Sequence, residues 1–486
     1  MKKENNNHSI EENISLEEIA QIVENYIQEE DVPIYDGYDV SIEDIEGEID
    51  NNKNNIHKNE EIKKEPIIKE INKNKIEINK NKINEKESNK KKVNKKEINK
   101  KEINKKEQNH IKKELNKRFI SIDIIKGIAI ITIILASGLG VSDELPKYLL
   151  LSSWNGIKFV DLGVPVLVLA TCFMIPSNIE RDLKRKICYK DIIIKKLIVG
   201  ISTFLIGLLL NVITSSDINH FRIMGILQFI SIVYIIVSLI YIVFRKFNLK
   251  INVLGIILLV LGSIGLILYF IISKKFGNDM KNCLALFVDS RVLKGHFYTF
   301  ERYGMISTIS AIFSGIISLS GGTFLLDKKA DVKEKMNRLI ILGMGLIIIS
   351  LILEKTCPHN VNIWSSSFSF IVLGSFMIVE SIMYFLFDFE KNFKLYKLFY
   401  PLIMFGKNSF LLLVITEVLK NTLFKLNVYS IAMGKGVSFG KWIVIDCLSE
   451  IFGSSSRAIV FLILYLIICL ISMIFIHENA SKIKSK

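Results

Sequence analysis

The sequence predicts an all-α integral membrane protein with about ten transmembrane helices, ten to eleven, preceded by a disordered, charged N-terminal tail. Three observations lead there. Apolar runs of about 20 residues, the length a helix needs to cross a bilayer, recur from Ile120 onward. Although 23% of the chain is charged, the charge is concentrated in the tail and in the connections between runs. Those connections alternate between basic and nearly uncharged, as the cytoplasmic excess of Lys and Arg in membrane proteins requires.

Residues 1–50 form an acidic tail, with 16 Asp and Glu against Lys2 and Lys3. Within it SLEEIAQIVENYI opens with a capping box (Ser15, Glu18) and repeats apolar residues at helical spacing, which predicts one short amphipathic helix. Residues 51–116 are almost wholly Lys, Glu, Asn and Ile, and the near-repeat NKKEINKKEINKKE has a five-residue period. That period fits neither a helical face nor a heptad, so the segment reads as solvated low-complexity chain on the cytoplasmic side. Its lysines suit anionic lipid headgroups better than nucleic acid, which is not expected as a partner.

The membrane domain spans 117–480, and residues 481–486 are a short basic cytoplasmic tail. Ten runs qualify as crossings: 120–140, 157–176, 192–214, 222–244, 251–273, 304–326, 338–354, 363–388, 398–420 and 456–477. No cleavable signal precedes them, so the first crossing also serves as the insertion signal. Loops 177–191, 245–250, 327–337 and 389–397 are basic, whereas 141–156, 215–221 and 355–362 carry little positive charge. Both termini then fall in the cytoplasm, in a cell membrane, and the one exception to the charge pattern is the long loop 274–303, which carries some Lys and Arg outside. KWIVIDCLSEIF, within 421–455, is short and polar for a crossing and reads as a re-entrant or interfacial helix, or as an eleventh span.

Ionisable groups at membrane depth cost about 2.5–3.5 kcal/mol on insertion scales, so they face cavities or one another. Asp161 falls about one turn below the outer surface, under Trp154 and Asn155. Ser137, Asn211, Arg222, Gln228, Trp364, Ser365 and Ser367 fall at the same level, which predicts an outward-facing polar layer. Interhelical hydrogen bonding is the favoured account of each of these taken singly, but packing seldom needs a carboxylate such as Asp161. At the inner end Asp123 and Lys126, three apart, are placed to pair, and Glu380 and Lys407 are a second candidate pair. With Glu417 they leave open a proton or solute pathway. In the loop 274–303, His296 is a candidate general base and Glu301 a carboxylate that would orient it. The six cysteines show no metal-ligand spacing and no metal is expected. Cys283 and Cys357, both in outer loops, read as two unrelated thiols or as a disulfide.

Six segments, RFISIDIIKG (118–127), SWNGIKFVDLGVP (153–165), FRIMGILQFISIVY (221–234), HFYTFERYGMISTISAIFSG (296–315), CPHNVNIWSSSF (357–368) and PLIMFGKNSF (401–410), stand in a telling order. Together they resemble, in order and membrane position, the heparan-alpha-glucosaminide N-acetyltransferase family and its bacterial relatives, over about residues 117–480. The resemblance implies a multi-span enzyme that carries an acetyl group from cytosolic acetyl-CoA, its donor substrate, to an extracytoplasmic sugar or glycan. Membrane lipids are then partners, and a homo-oligomer is compatible with this reading. It implies Asp161 and His296 as catalytic residues, beside which Glu301 is placed by its own chemistry, and Trp154, Asn155, Arg222, Gln228, Trp364, Ser367 and Asn408 as the acceptor site. Asp123 and Lys126 would serve the donor.

The chain departs from the family pattern at several positions. Leu151 stands where the family has its catalytic histidine, three residues before the Trp-Asn-Gly tryptophan, and Ser137 replaces an accompanying asparagine. Lys126 replaces an arginine, Tyr303 a glutamate and Val361 a lysine. Either another group, with His296 foremost, supplies the base, or the chain is a non-catalytic homologue that binds or scaffolds; a proton-coupled transporter is the third reading.

Overall fold

The computed structural model describes residues 119–138, 145, 149–213, 215, 220–296, 300 and 302–484, without the side chains of 393, 454–455 and 476–484. The acidic helix, the lysine-rich segment and Glu301 lie outside the described residues.

Helix dominates because lipid offers the backbone no hydrogen bonds, so even isoleucine-rich segments close their bonds internally. The long helices are α1 (Ile120–Ser137), α2 (Gly163–Lys184), α3 (Tyr189–Ile213), α4 (Ile226–Lys246) and α5 (Ile251–Lys274). After the short α6 (Leu284–Val292) come α7 (Met305–Leu325), α8 (Val332–Glu354) and α9 (Ser366–Met383), then α10 (Phe393–Lys407) and α11 (Ser409–Lys425). A hairpin of β1 (Asn427–Ser430) and β2 (Lys435–Ser438), a single turn α12 (Phe439–Trp442) and α13 (Ser454–Lys484) complete the chain. Nine of the described helices are long and apolar enough to span a membrane. The protein is therefore an all-α multi-pass membrane protein with one minimal hairpin.

The tenth expected crossing, 398–420, is not one straight helix. It is the pair α10 and α11, bent by 69°. The bend falls at Asn408, whose side chain turns back to donate to Met404 O at 2.9 Å. Within 421–455 the hairpin comes first, and KWIVIDCLSEIF (441–452) runs from the end of α12 through one turn of π-helix at Ile443–Cys447 into turns, a short helical piece and not an eleventh span.

Burial separates a central set of helices from a peripheral one. The apolar window of α7 is 83% buried and that of α2 78%, against 22% for α8 and 28% for α3. α7 carries serines at 307, 310, 314 and 318, all buried, so that small side chains let α2, α4 and α5 pack closely around it. α8 and α9 meet through Gly343 and Gly374. A Cβ on either would stand 2.7 or 2.5 Å from the carbonyl oxygen of the other, a fit that only glycine permits. On the periphery Ile198, Ile201 and Leu205 of α3 and Ile341, Ile348 and Ile352 of α8 are exposed at helical spacing. Such faces are stable only against lipid tails.

Candidate functional site

Asp161 lies in a 3-10 turn (Phe159–Leu162) that leads into α2, and it is buried. Its Oδ2 accepts from the backbone N–H groups of Ser152 and Lys158, each at 3.1 Å, which folds the 152–158 loop over the helix start. Its Oδ1 faces the Arg302 guanidinium, with Nη1 at 3.3 Å. The carboxylate that sequence alone leaves unexplained thus closes a loop and meets a cation brought from about 140 residues away.

Arg302 carries the network onward. Its Nε donates to Asn362 Oδ1 at 2.8 Å, and Asn362 Nδ2 donates to the Trp154 carbonyl at 3.1 Å. Asn360 Nδ2 donates to Asn155 Oδ1 at 3.0 Å. Gly156, at φ +99°, turns the chain so that its N–H reaches the His359 carbonyl at 2.7 Å and the two loops run side by side. The Trp154 indole donates to Asn278 O at 2.7 Å, and its ring meets the edge of Phe300 at 5.1 Å. Trp154, Asn155 and Asp161 therefore share one polar network with Arg302, Asn360 and Asn362.

Trp364 sits beneath this layer, buried and in the left-handed region at φ +48°. Such a conformation costs a non-glycine residue about 1–3 kcal/mol and persists only when its surroundings fix it. Here Ser310 donates to its carbonyl at 2.7 Å, its indole donates to Ser314 at 3.2 Å, and Phe229 packs against its ring at 5.0 Å. Ser367 bonds Ser365 at 3.2 Å at the start of α9.

His296 lies on another loop. Its Nδ1 stands 2.9 Å from the Phe221 carbonyl, and the two rings meet at 5.0 Å. A carbonyl only accepts, so Nδ1 carries the proton and Nε2 keeps the lone pair, the tautomer a general base needs. The bridge from His296 to Asp161 is indirect. Arg222 follows Phe221 and lies within electrostatic range of Tyr303, as does its neighbour Arg302. Burial pushes the Tyr303 phenol up, with Arg302 and Arg222 opposing. Glu417 acts on the same phenol from α11, where it pairs with Lys420 at 2.5 Å. Gln228 is buried between Gly207 and Gly225, and its Nε2 has no hydrogen-bond partner among the described residues.

At the opposite end of the helices Asp123 is buried against Gly406, and no ion pair between Asp123 and Lys126 occurs among the described residues. Asp388 caps α1 instead, accepting from Ile120 N at 2.7 Å and Ser121 N at 3.1 Å. Glu380 accepts from Ser121 Oγ at 2.8 Å. Asn408 lies at the α10–α11 bend.

Arg302, His359, Asn360 and Asn362 are functional-site residues that sequence alone does not mark, although all four stand in the segments ERYG and CPHNVNIWSSSF. The only signal is their neighbours: Arg302 stands between Phe300 and Gly304, and His359, Asn360 and Asn362 stand between Pro358 and Trp364. His359 has Ser350 Oγ at 2.9 Å and Glu354 Oε1 at 3.2 Å, the outline of a nucleophile triad. Ser350 is fully buried and donates its own proton to Ser367 O at 2.7 Å, so it is a helix clip and not a nucleophile. Cys283 and Cys357 are free thiols, both within electrostatic range of Tyr269. No group of three or more metal-ligating side chains occurs among the described residues. The chain matches no protein-family model and no curated protein.

Proposed function

We propose that the chain is a plasma-membrane acyltransferase of the kind its motifs resemble, moving an acetyl or other acyl group from cytosolic acyl-CoA to an extracytoplasmic sugar or glycan. The observation that carries this reading is convergence. SWNGIKFVDLGVP, the ERYG turn and CPHNVNIWSSSF, each separated from the next by more than 50 residues, meet in the single network around Asp161 and Arg302. An aromatic ring beside amide groups suits a sugar ring, which presents apolar faces and a rim of hydroxyls.

In this reading Trp154 and Asn155 seat the acceptor, Asp161 and Arg302 hold the loop that seats it, and Asp123 and Lys126 lie at the donor's end. The acceptor amine or hydroxyl attacks the thioester carbonyl, its proton passes to His296 Nε2, and the carbon–sulfur bond breaks. The proton then goes to the departing thiolate, so His296 returns to its starting form.

A second reading, a non-catalytic homologue that binds or scaffolds, is favoured by one observation. Leu151 occupies the family's base position, immediately before the Ser152 N–H that Asp161 accepts. Purified protein in lipid, given radiolabelled acetyl-CoA and a panel of amino sugars, separates the two. Transfer by the native chain that is lost in His296→Ala supports the enzyme with His296 as base. Transfer only in a Leu151→His variant supports the non-catalytic homologue, and no transfer by either overturns the acyltransferase reading.

A further inference from the structure

We propose that the hairpin between α11 and α13 is a lipid-headgroup anchor, its apolar tip seated in the interfacial layer of the bilayer. The turn joining β1 and β2 is Ile431, Ala432, Met433 and Gly434, where hairpin turns ordinarily carry Asn, Asp and Gly. Ile431 is 87% exposed, and Tyr429 and Met433 are exposed beside it. In water a cluster of this kind is a liability.

The exposure is built into the hairpin. Asp446, from the π-helical turn, accepts from Ser430 Oγ at 2.5 Å and from Ala432 N at 3.0 Å, while Ser430 Oγ accepts from Met433 N at 3.2 Å. Gly434, at φ +63°, closes the turn with its N–H on Ser430 O at 3.0 Å. Val437 is buried at the hairpin's base, and Phe439 N donates to Leu426 O at 2.8 Å. The tip is thus held out rigidly from a fixed base.

Lipid is the occupant that the surroundings select. The hairpin follows the end of α11, and α12, the π-helical turn and residues 448–453 lead from it to the start of the apolar α13, so it stands in the connection between two apolar helices, where a membrane surface lies. Its exposed apolar residues continue the lipid-facing surface: Val418 and Leu426 precede the tip, Ile451 and Phe452 follow it, and Ile463 carries the surface along α13. Lys435 is exposed directly beside the tip, with Lys425 and Lys441 nearer the base. Long ammonium side chains around a small apolar cluster match phosphate groups above acyl chains. The stacked pair Phe439 and Trp442, 5.7 Å apart, is of the type enriched at that depth.

The test uses the full-length protein with Cys188 and Cys447 replaced by Ser, labelled with an environment-sensitive fluorophore at Ile431→Cys. Gly345→Cys, which has open space around it on the lipid-facing α8, serves as the deep reference. The protein is placed one copy per nanodisc in phosphatidylcholine and phosphatidylglycerol. The anchor predicts blue-shifted emission at 431, quenched by spin label on the headgroup more than by aqueous iodide or by spin label at the acyl-chain end. Water-like emission quenched mainly by iodide overturns it, as does quenching strongest from the chain end. A blue shift found only with two or more copies per disc also overturns it, and assigns the tip to a second copy of the chain.

Discussion

The pairing of Asp161 with Arg302 is the residue-scale feature on which the site depends. Removing the cation leaves a buried carboxylate with only two backbone donors, and breaking a buried pair costs about 3 kcal/mol or more. Arg302→Met is therefore expected to lower the thermal midpoint in detergent by several degrees. Arg302→Lys should recover only part, because a lysine cannot hold Asp161 and Asn362 together; a midpoint unchanged in Arg302→Met contradicts the arrangement. Asp327 supplies a pH test. Burial works against its ionised form, but donors from Asn252, the Lys329 N–H and Arg338 outweigh it and hold the carboxyl below its ordinary range. A carboxyl lowered on folding adds stability that is complete above the unfolded pKa of about 3.9 and is lost as pH falls through the lower folded value. Thermal midpoints of the native chain should thus fall more steeply than those of Asp327→Asn as pH drops below about 4. Asp161 was legible as an anomaly because a carboxylate just inside an apolar run demands a cause. Its partner was not, since a loop arginine carries no sign of the contact it makes across the fold.

Among elements, the junction of α1 with α10 is the closest approach in the membrane domain with a clear substitution test. A Cβ at Gly406 would stand 1.7 Å from the Asp123 carbonyl oxygen, so Gly406→Ala must push the helices apart, at about 1–3 kcal/mol. Gly345→Ala on α8 meets nothing within 4 Å and should be neutral or slightly stabilising, since Gly costs a helix up to about 1 kcal/mol relative to Ala. Unfolding of the two variants in parallel checks both signs; equal effects would refute the packing. The helices themselves were readable from run length, because lipid forces any apolar run of sufficient length into a helix. The bend at Asn408 escaped that rule, since an average over 398–420 dilutes Gly406, Lys407 and Asn408 among apolar neighbours. The hairpin escaped it too, its strands being four residues each and its only marks Gly434 and Gly436.

For the whole molecule, sequence and structure agree on a multi-pass helical body whose lipid-facing surface and serine-rich centre differ as hydropathy requires. What length and hydropathy do not encode is which loops meet, because that depends on contacts between residues hundreds of positions apart. The resemblance motifs nominated the loops at 152–161 and 357–368, and the structure joins them through Asn155, Asn360 and Asn362. The proposed reaction crosses the membrane, so it has a directional signature. In sealed proteoliposomes with acetyl-CoA enclosed on the face that carries Asp123 and a labelled amino sugar on the face that carries Asp161, the account predicts acetylated sugar outside, abolished by His296→Ala. Product formed only when donor and acceptor share one compartment, or formed equally by His296→Ala, would contradict it.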